Sequence, residues 1–158
     1  MGLDATVYCD CFEQGKLRTP PLPEWNMFVE EGGARSVRTG DLKKVLAFDQ
    51  WNFNACEHER GILRHYRIGN IATVDLIRMT LTKRSELFPI ILSKIVYNGI
   101  HCGDFINIDQ ITLLKPELQA LSGFHSDDAL AEGWIRQFET QLYELVEAAF
   151  RVKKPIVF

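Results

Sequence analysis

An α+β fold, predominantly helical with a small sheet, is what the patterning of this chain predicts, and three observations carry it. Residues 3–9 (Leu3-Asp4-Ala5-Thr6-Val7-Tyr8-Cys9) alternate apolar and more polar side chains. That period of two marks a strand with Leu3, Ala5, Val7 and Cys9 facing inward. Near the other end, Leu130, Trp134, Phe138, Leu142, Leu145, Ala149 and Val152 recur at helical spacing. The tail Ile156-Val157-Phe158 is apolar and follows Pro155. It is expected to form a last strand beside the first, so that the sheet consists of the N-terminal strand, a short hairpin and the C-terminal strand.

The elements between follow from local chemistry. Residues 13–24 contain Gly15, Pro20, Pro21 and Pro23, which remove amide donors and fix φ, so a surface loop is expected. Trp25 to Glu31 and Ala34 to Arg38 flank Gly32-Gly33, a pair suited to a tight hairpin turn. Asp41 to Trp51 reads as a helix with Leu42, Val45 and Leu46 on one face and Asp41 at its positive end. Residues 52–60 carry no periodic signal. Ile68 to Lys83 reads as a helix through Ile71, Val74, Ile77 and Leu81. Ser85 is placed to cap a further helix, with Pro89 in its first turn and Leu87, Ile91 and Ile95 on one face, closed by Asn98-Gly99. Phe105 to Ile108 is either a short strand or an extended lead into a helix capped by Asp109, and a helix follows around Pro116 to Leu121. Ser126 caps the long terminal helix, Asp127 and Asp128 favour its first turn, and Pro155 closes it.

Composition bounds the function classes. A length of 158 residues suits a single domain with one core, spanning residues 1–158. Ten Phe, four Tyr and three Trp supply large apolar area for that core. The formal net charge of −3 and a pI near 5.8 argue against nucleic-acid binding, which usually shows a basic stripe. No apolar stretch reaches the ~18 residues that span a bilayer, and the opening residues lack the pattern of a secretory signal. A reducing cytoplasm is the expected location, with no membrane association.

Two constellations carry chemistry. Cys9 and Cys11 are two apart, which on a strand points both thiols to one face. Together with Cys56 and His58 they make a Cys3His set, the composition of a zinc shell. The Cys-x-Cys and Cys-x-His spacings are tighter than the usual structural pattern, and reduced core cysteines are the competing explanation. The second constellation is Cys56-Glu57-His58-Glu59-Arg60 with His65, Arg67 and Asn70, which concentrates nucleophile, base and anion-binding types. Cys56 and His58 would diverge by about 200° on a helix, so only an extended backbone aims them together. His101 and Cys102 lie in a turn-like stretch. The sequence contains no phosphate loop, dinucleotide-binding glycine motif, metalloprotease helix or nucleophile elbow.

Several segments together resemble a set of small bacterial proteins without an assigned activity. They are Met1-Gly2-Leu3-Asp4 running into Val7-x-Cys9-x-Cys11, Ala55-Cys56-Glu57-His58-Glu59, Arg67-Ile68-Gly69-Asn70-Ile71-Ala72, Phe88-Pro89-Ile90, Tyr97-Asn98-Gly99 with Gly103-Asp104-Phe105, and Lys154-Pro155-Ile156. The resemblance spans nearly the whole chain. It implies a bacterial cytoplasmic origin and carries over no catalytic residue. In size, acidity and lack of catalytic motifs the chain is also loosely similar to immunity proteins of bacterial toxin systems.

The leading expectation is therefore a protein-binding module, an immunity protein that neutralises a cognate toxin. Trp25 and Arg35 would anchor the partner beside the Glu30-Glu31-Gly32-Gly33 turn. The alternative is a small zinc-binding protein or enzyme, with binding residues His58, His65 and Asn70 around Cys56 and metal ligands Cys9, Cys11, Cys56 and His58. A plain structural or self-associating domain is the third class.

Overall fold

The computed structural model describes residues 2–99 and 103–158. In chain order the elements are β1 (Gly2–Tyr8), β2 (Met27–Val29), β3 (Arg35–Val37), α1 (Leu42–Asn52), β4 (Ile62–Asn70), α2 (Ile71–Thr82), β5 (Phe105–Ile106), α3 (Ile108–Ser122), α4 (Ala129–Val152) and β6 (Ile156–Val157). The fold is α+β, as the patterning predicts. His101 and Cys102 lie outside the described residues.

The two chain ends meet in one sheet. Its order is β4-β1-β6-β5, antiparallel throughout, with Thr6 opposite Val157 and Phe105 also opposite Val157. Leu3, Ala5 and Val7 of β1 are fully buried while the residues between them face partly outward, so the period of two places the first strand correctly. The hairpin β2–β3 forms its own two-stranded sheet. The place beside β1 is taken by β4, a strand that the patterning does not reveal. Only Ile68 and Gly69 of β4 are buried, and Arg64, His65 and Arg67 are exposed, so no alternation announces it. The helix expected from Ile68 consequently begins three residues later, where the Asn70 side chain accepts the Thr73 N–H at 2.9 Å and caps α2.

Helices α2, α3 and α4 cover the sheet with an apolar layer. Ile77, Leu81, Phe88, Ile91, Ile95, Ile111, Leu114, Leu121, Ile135, Phe138 and Leu142 are buried against Leu3, Val7 and Ile156. Helix α4 packs on α3, β4, α2 and β1, so the long helix backs the sheet. Asp128 caps it, accepting from the N–H groups of Leu130 and Ala131. Ser126 instead accepts the Asp128 N–H. Lys153 ends the helix in a left-handed conformation at φ 55°.

Three further expectations are corrected here. The Ser85 to Gly99 segment is not a regular helix but a short 3-10 turn at Ser85–Leu87 and a π-type turn at Ile91–Ile95. Its free amides at Ile90 and Ile91 are met by the buried Glu117 carboxylate at 2.8 and 2.9 Å. Helix α3 spans fifteen residues and starts at Asn107, which forms a capping box with Gln110, rather than at Asp109. On α1, Leu42 and Leu46 are exposed (71 % and 59 %), and Phe48 is the buried side chain.

Residues 12–61 form an outer layer on this body, comprising the proline loop, β2–β3, α1 and the segment leading to β4. Its own buried cluster is aromatic: Trp25, Phe48 and Trp51 have ring centroids 5.5–5.9 Å apart. Helix α1 packs on β3 and on the turn at Glu59–Gly61. Lys154, only 5 % exposed, ties the layer to the tail by donating to the Gly33 carbonyl at 3.1 Å and pairing with Glu13 at 2.9 Å.

Candidate metal centre

The seam between body and layer is where the thiols converge. Cys9 follows β1 directly and continues its pairing with β4, donating its N–H to the Gly61 carbonyl at 2.7 Å. Cys11 lies in the ensuing turn, which closes when its carbonyl accepts the Lys16 N–H at 2.8 Å. On the other side, α1 ends at Asn52, and the chain is pinned by Arg60 N–H to the Phe53 carbonyl (2.9 Å) and Arg18 N–H to the Ala55 carbonyl (2.8 Å). This loop carries Cys56 and His58. His58 has an extended backbone (φ −100°, ψ 119°), the geometry that lets side chains two residues apart point the same way.

The result is a compact donor set. The ligating atoms of Cys9, Cys11, Cys56 and His58 all lie within 4.8 Å of one another. Cys9 Sγ is 3.8 Å from Cys56 Sγ, and Cys11 Sγ is 3.4 Å from His58 Nδ1. A tetrahedral zinc ion with the usual Zn–S and Zn–N lengths separates two sulfurs by about 3.8 Å and a sulfur from a nitrogen by roughly 3.5 Å. The two pairs measured here already have those edges. Each pair joins residues 47 apart in the sequence, one from the body and one from the layer. The four residues could therefore hold a metal ion across the seam.

The surroundings set the charge of the site. Cys9 and Cys11 are buried (2 % and 4 % exposed), and Cys56 and His58 are half-buried. Burial pushes the Cys11 thiol up to about 12, helped by the neighbouring Cys9 and Cys56 thiols. Burial also raises Cys9. At Cys56 burial acts in the same direction, but a backbone hydrogen bond with His58 and the positive charge of Arg35 outweigh it and hold the thiol below its ordinary value. Arg35 Nη1 donates to Cys56 Sγ at 3.5 Å. Its guanidinium sits against Gly61, at φ 73°, where a Cβ would come within 2.6 Å of Nη2. Gly61 is thus required both for its backbone angle and for the approach of Arg35.

The other expected site residues are elsewhere. His65 is exposed on β4, with Nδ1 3.0 Å from Thr6 Oγ1. Asn70 serves as the cap of α2 at the far end of β4, a strand whose nine residues span roughly 25 Å. Cys56, His58, His65 and Asn70 do not share a pocket. Trp25 is 7 % exposed inside the aromatic cluster, and Arg35 is 8 % exposed against Cys56, so both are internal. The role of Arg35 was not legible as a local signal, because β3 and Cys56 are separated by all of α1. No protein-family model, curated protein or solved structure matches this chain.

Proposed function

We propose that this chain is a zinc-binding protein in which Cys9, Cys11, Cys56 and His58 hold one ion as a structural centre. The observation that carries the reading is the Cys3His set with two edges, 3.8 and 3.4 Å, that match a tetrahedral shell. Thiolate and imidazole donors select zinc over the hard cations, and no carboxylate belongs to the set. Four protein ligands fill a tetrahedron, so the ion has no open position for water or substrate, and its role is to fasten residues 12–61 to the sheet. Three thiolates and a neutral imidazole leave a zinc complex with one negative charge, which the Arg35 guanidinium beside Cys56 offsets.

Metal analysis of untagged protein, purified under reducing conditions without chelator, tests this. About one zinc ion per chain is expected. Cys11→Ser and Cys56→Ser should each lose it, while His65→Ala and Asn70→Ala should keep it. Cobalt substituted for zinc should show the thiolate charge-transfer bands of a tetrahedral sulfur-rich site. A wild-type content below about a tenth of an equivalent would overturn the proposal.

A further inference from the structure

The geometry of the thiols suits a second chemistry besides coordination. Cys9 Sγ and Cys56 Sγ are 3.8 Å apart, the contact of two unbonded sulfurs. A disulfide closes such a gap to about 2.05 Å, within the reach of small side-chain rotations. The two residues stand 47 apart in the sequence and on opposite sides of the seam, Cys9 just after β1 and Cys56 in the loop after α1. Cys11 is engaged differently, with its Sγ 3.4 Å from His58 Nδ1. A Cys9–Cys11 bond would close a far smaller loop and gain less from chain entropy. The cluster is open to small molecules. Cys56 is the most exposed of its three thiols, and a cavity of about 320 Å3 is lined by Cys11 and His58.

We propose that the cluster is an oxidation site, at which hydrogen peroxide joins Cys9 to Cys56 as a disulfide, frees the ion and leaves the cross-link holding residues 12–61 to the sheet. Cys56, the more exposed thiol, attacks one peroxide oxygen as the thiolate. The O–O bond breaks, the second oxygen leaves as hydroxide and is protonated to water, and Cys56 becomes a sulfenic acid. The Cys9 thiolate then attacks the Cys56 sulfur, the S–O bond breaks, and that oxygen leaves as a second water on protonation. Two thiolates thus lose two electrons to one peroxide, and two protons are taken up. Cys11 and His58 remain as donors, half of the set that a structural zinc ion requires. The new bond spans the same two segments as the ion, so body and layer stay joined. Release of the ion rests on the zinc reading above, whereas the disulfide rests on the thiol geometry alone.

Treatment of reduced protein with hydrogen peroxide tests this, with zinc release read by a chromophoric chelator and the linkage by mass spectrometry of unreduced peptides. A Cys9–Cys56 cross-link is expected, with about one zinc ion released per cross-link. Dithiothreitol and added zinc should reverse both changes. Hydrogen–deuterium exchange of the oxidised, metal-free protein should show residues 12–61 still protected. Sulfinic acid at Cys56 without a cross-link, a different linkage, or a layer that loses protection on oxidation would each overturn the proposal. Zinc content measured before peroxide is added keeps the two readings apart. Protein that binds no zinc yet forms the link refutes the metal centre and retains this site, whereas zinc-loaded protein that forms no link refutes this site alone.

Discussion

In the body, Leu3, Ile77, Phe88, Ile91, Leu114, Phe138 and Leu142 are fully buried around one another, and three helices contribute to the same cluster. In the outer layer, the buried apolar side chains are chiefly Trp25, Phe48 and Ala55, and α1 exposes Leu42 and Leu46 to solvent. The body therefore has the continuous apolar interior that stabilises a domain of ordinary size. The layer comprises about fifty residues with a few rings for a core, the regime in which small units rely on metals or cross-links. The four thiol and imidazole donors lie on the boundary between the two. Apolar burial sustains the one region; in the function proposed above, a coordination centre would supply to the other the cohesion that its few buried rings do not.

Substitutions separate the two regions. Phe138→Ala opens a cavity in the body and should cost about 3–5 kcal/mol, measured as a lower urea midpoint for the whole molecule. Phe48→Ala removes a similar ring from the layer and should loosen the layer while the body transition stays where it is. The body should also respond to pH through Glu117. Burial raises its carboxyl above the ordinary range despite the two amides of Ile90 and Ile91 that it accepts. A carboxyl raised in the fold binds its proton more tightly there than in the unfolded chain. Its contribution is greatest below the unfolded value and declines as pH rises through the folded value. The body should thus gain stability from this group as pH falls from neutral toward the ordinary carboxyl range, and Glu117→Gln should remove that gain. Glu117→Ala leaves two buried amides unmet and should cost about 2 kcal/mol at neutral pH.

In the layer, Arg35→Gln removes the charge beside Cys56 and should lower zinc affinity about ten- to a hundredfold, read by competition with a chromophoric chelator. The smallest effect belongs to α1. Leu42→Gln and Leu46→Gln should each change stability by no more than about 0.5 kcal/mol, since both side chains are exposed. A larger loss would mean that this face is covered.

The sequence is a better guide to the body than to the layer, with one exception in each. Strand β1 and helix α4 carry clean periods of two and 3.6, and the apolar tail after Pro155 calls for a strand partner, so the meeting of the chain ends is readable in advance, though its second partner β5 is not. Strand β4 is hidden because it buries residues mainly at Ile68 and Gly69, and the helical spacing from Ile71 onward extends backwards over them. In the layer, Leu42 and Leu46 have the spacing of a buried face but lie outward, since Trp25 and Trp51 pack against Phe48 instead. The four converging donors, Cys9, Cys11, Cys56 and His58, could be grouped from residue type and spacing alone. Arg35 in its contact with Cys56 could not, because no local pattern links β3 to the Cys56 loop.

Hydrogen–deuterium exchange on zinc-loaded and chelated protein, both kept reduced, tests most directly whether a metal holds the layer to the body. Removal of the ion should abolish amide protection across residues 12–61, in β2, β3 and the Cys56–His58 loop, while β1, α2, α3 and α4 keep theirs. Equal protection of the layer with and without zinc would contradict the account.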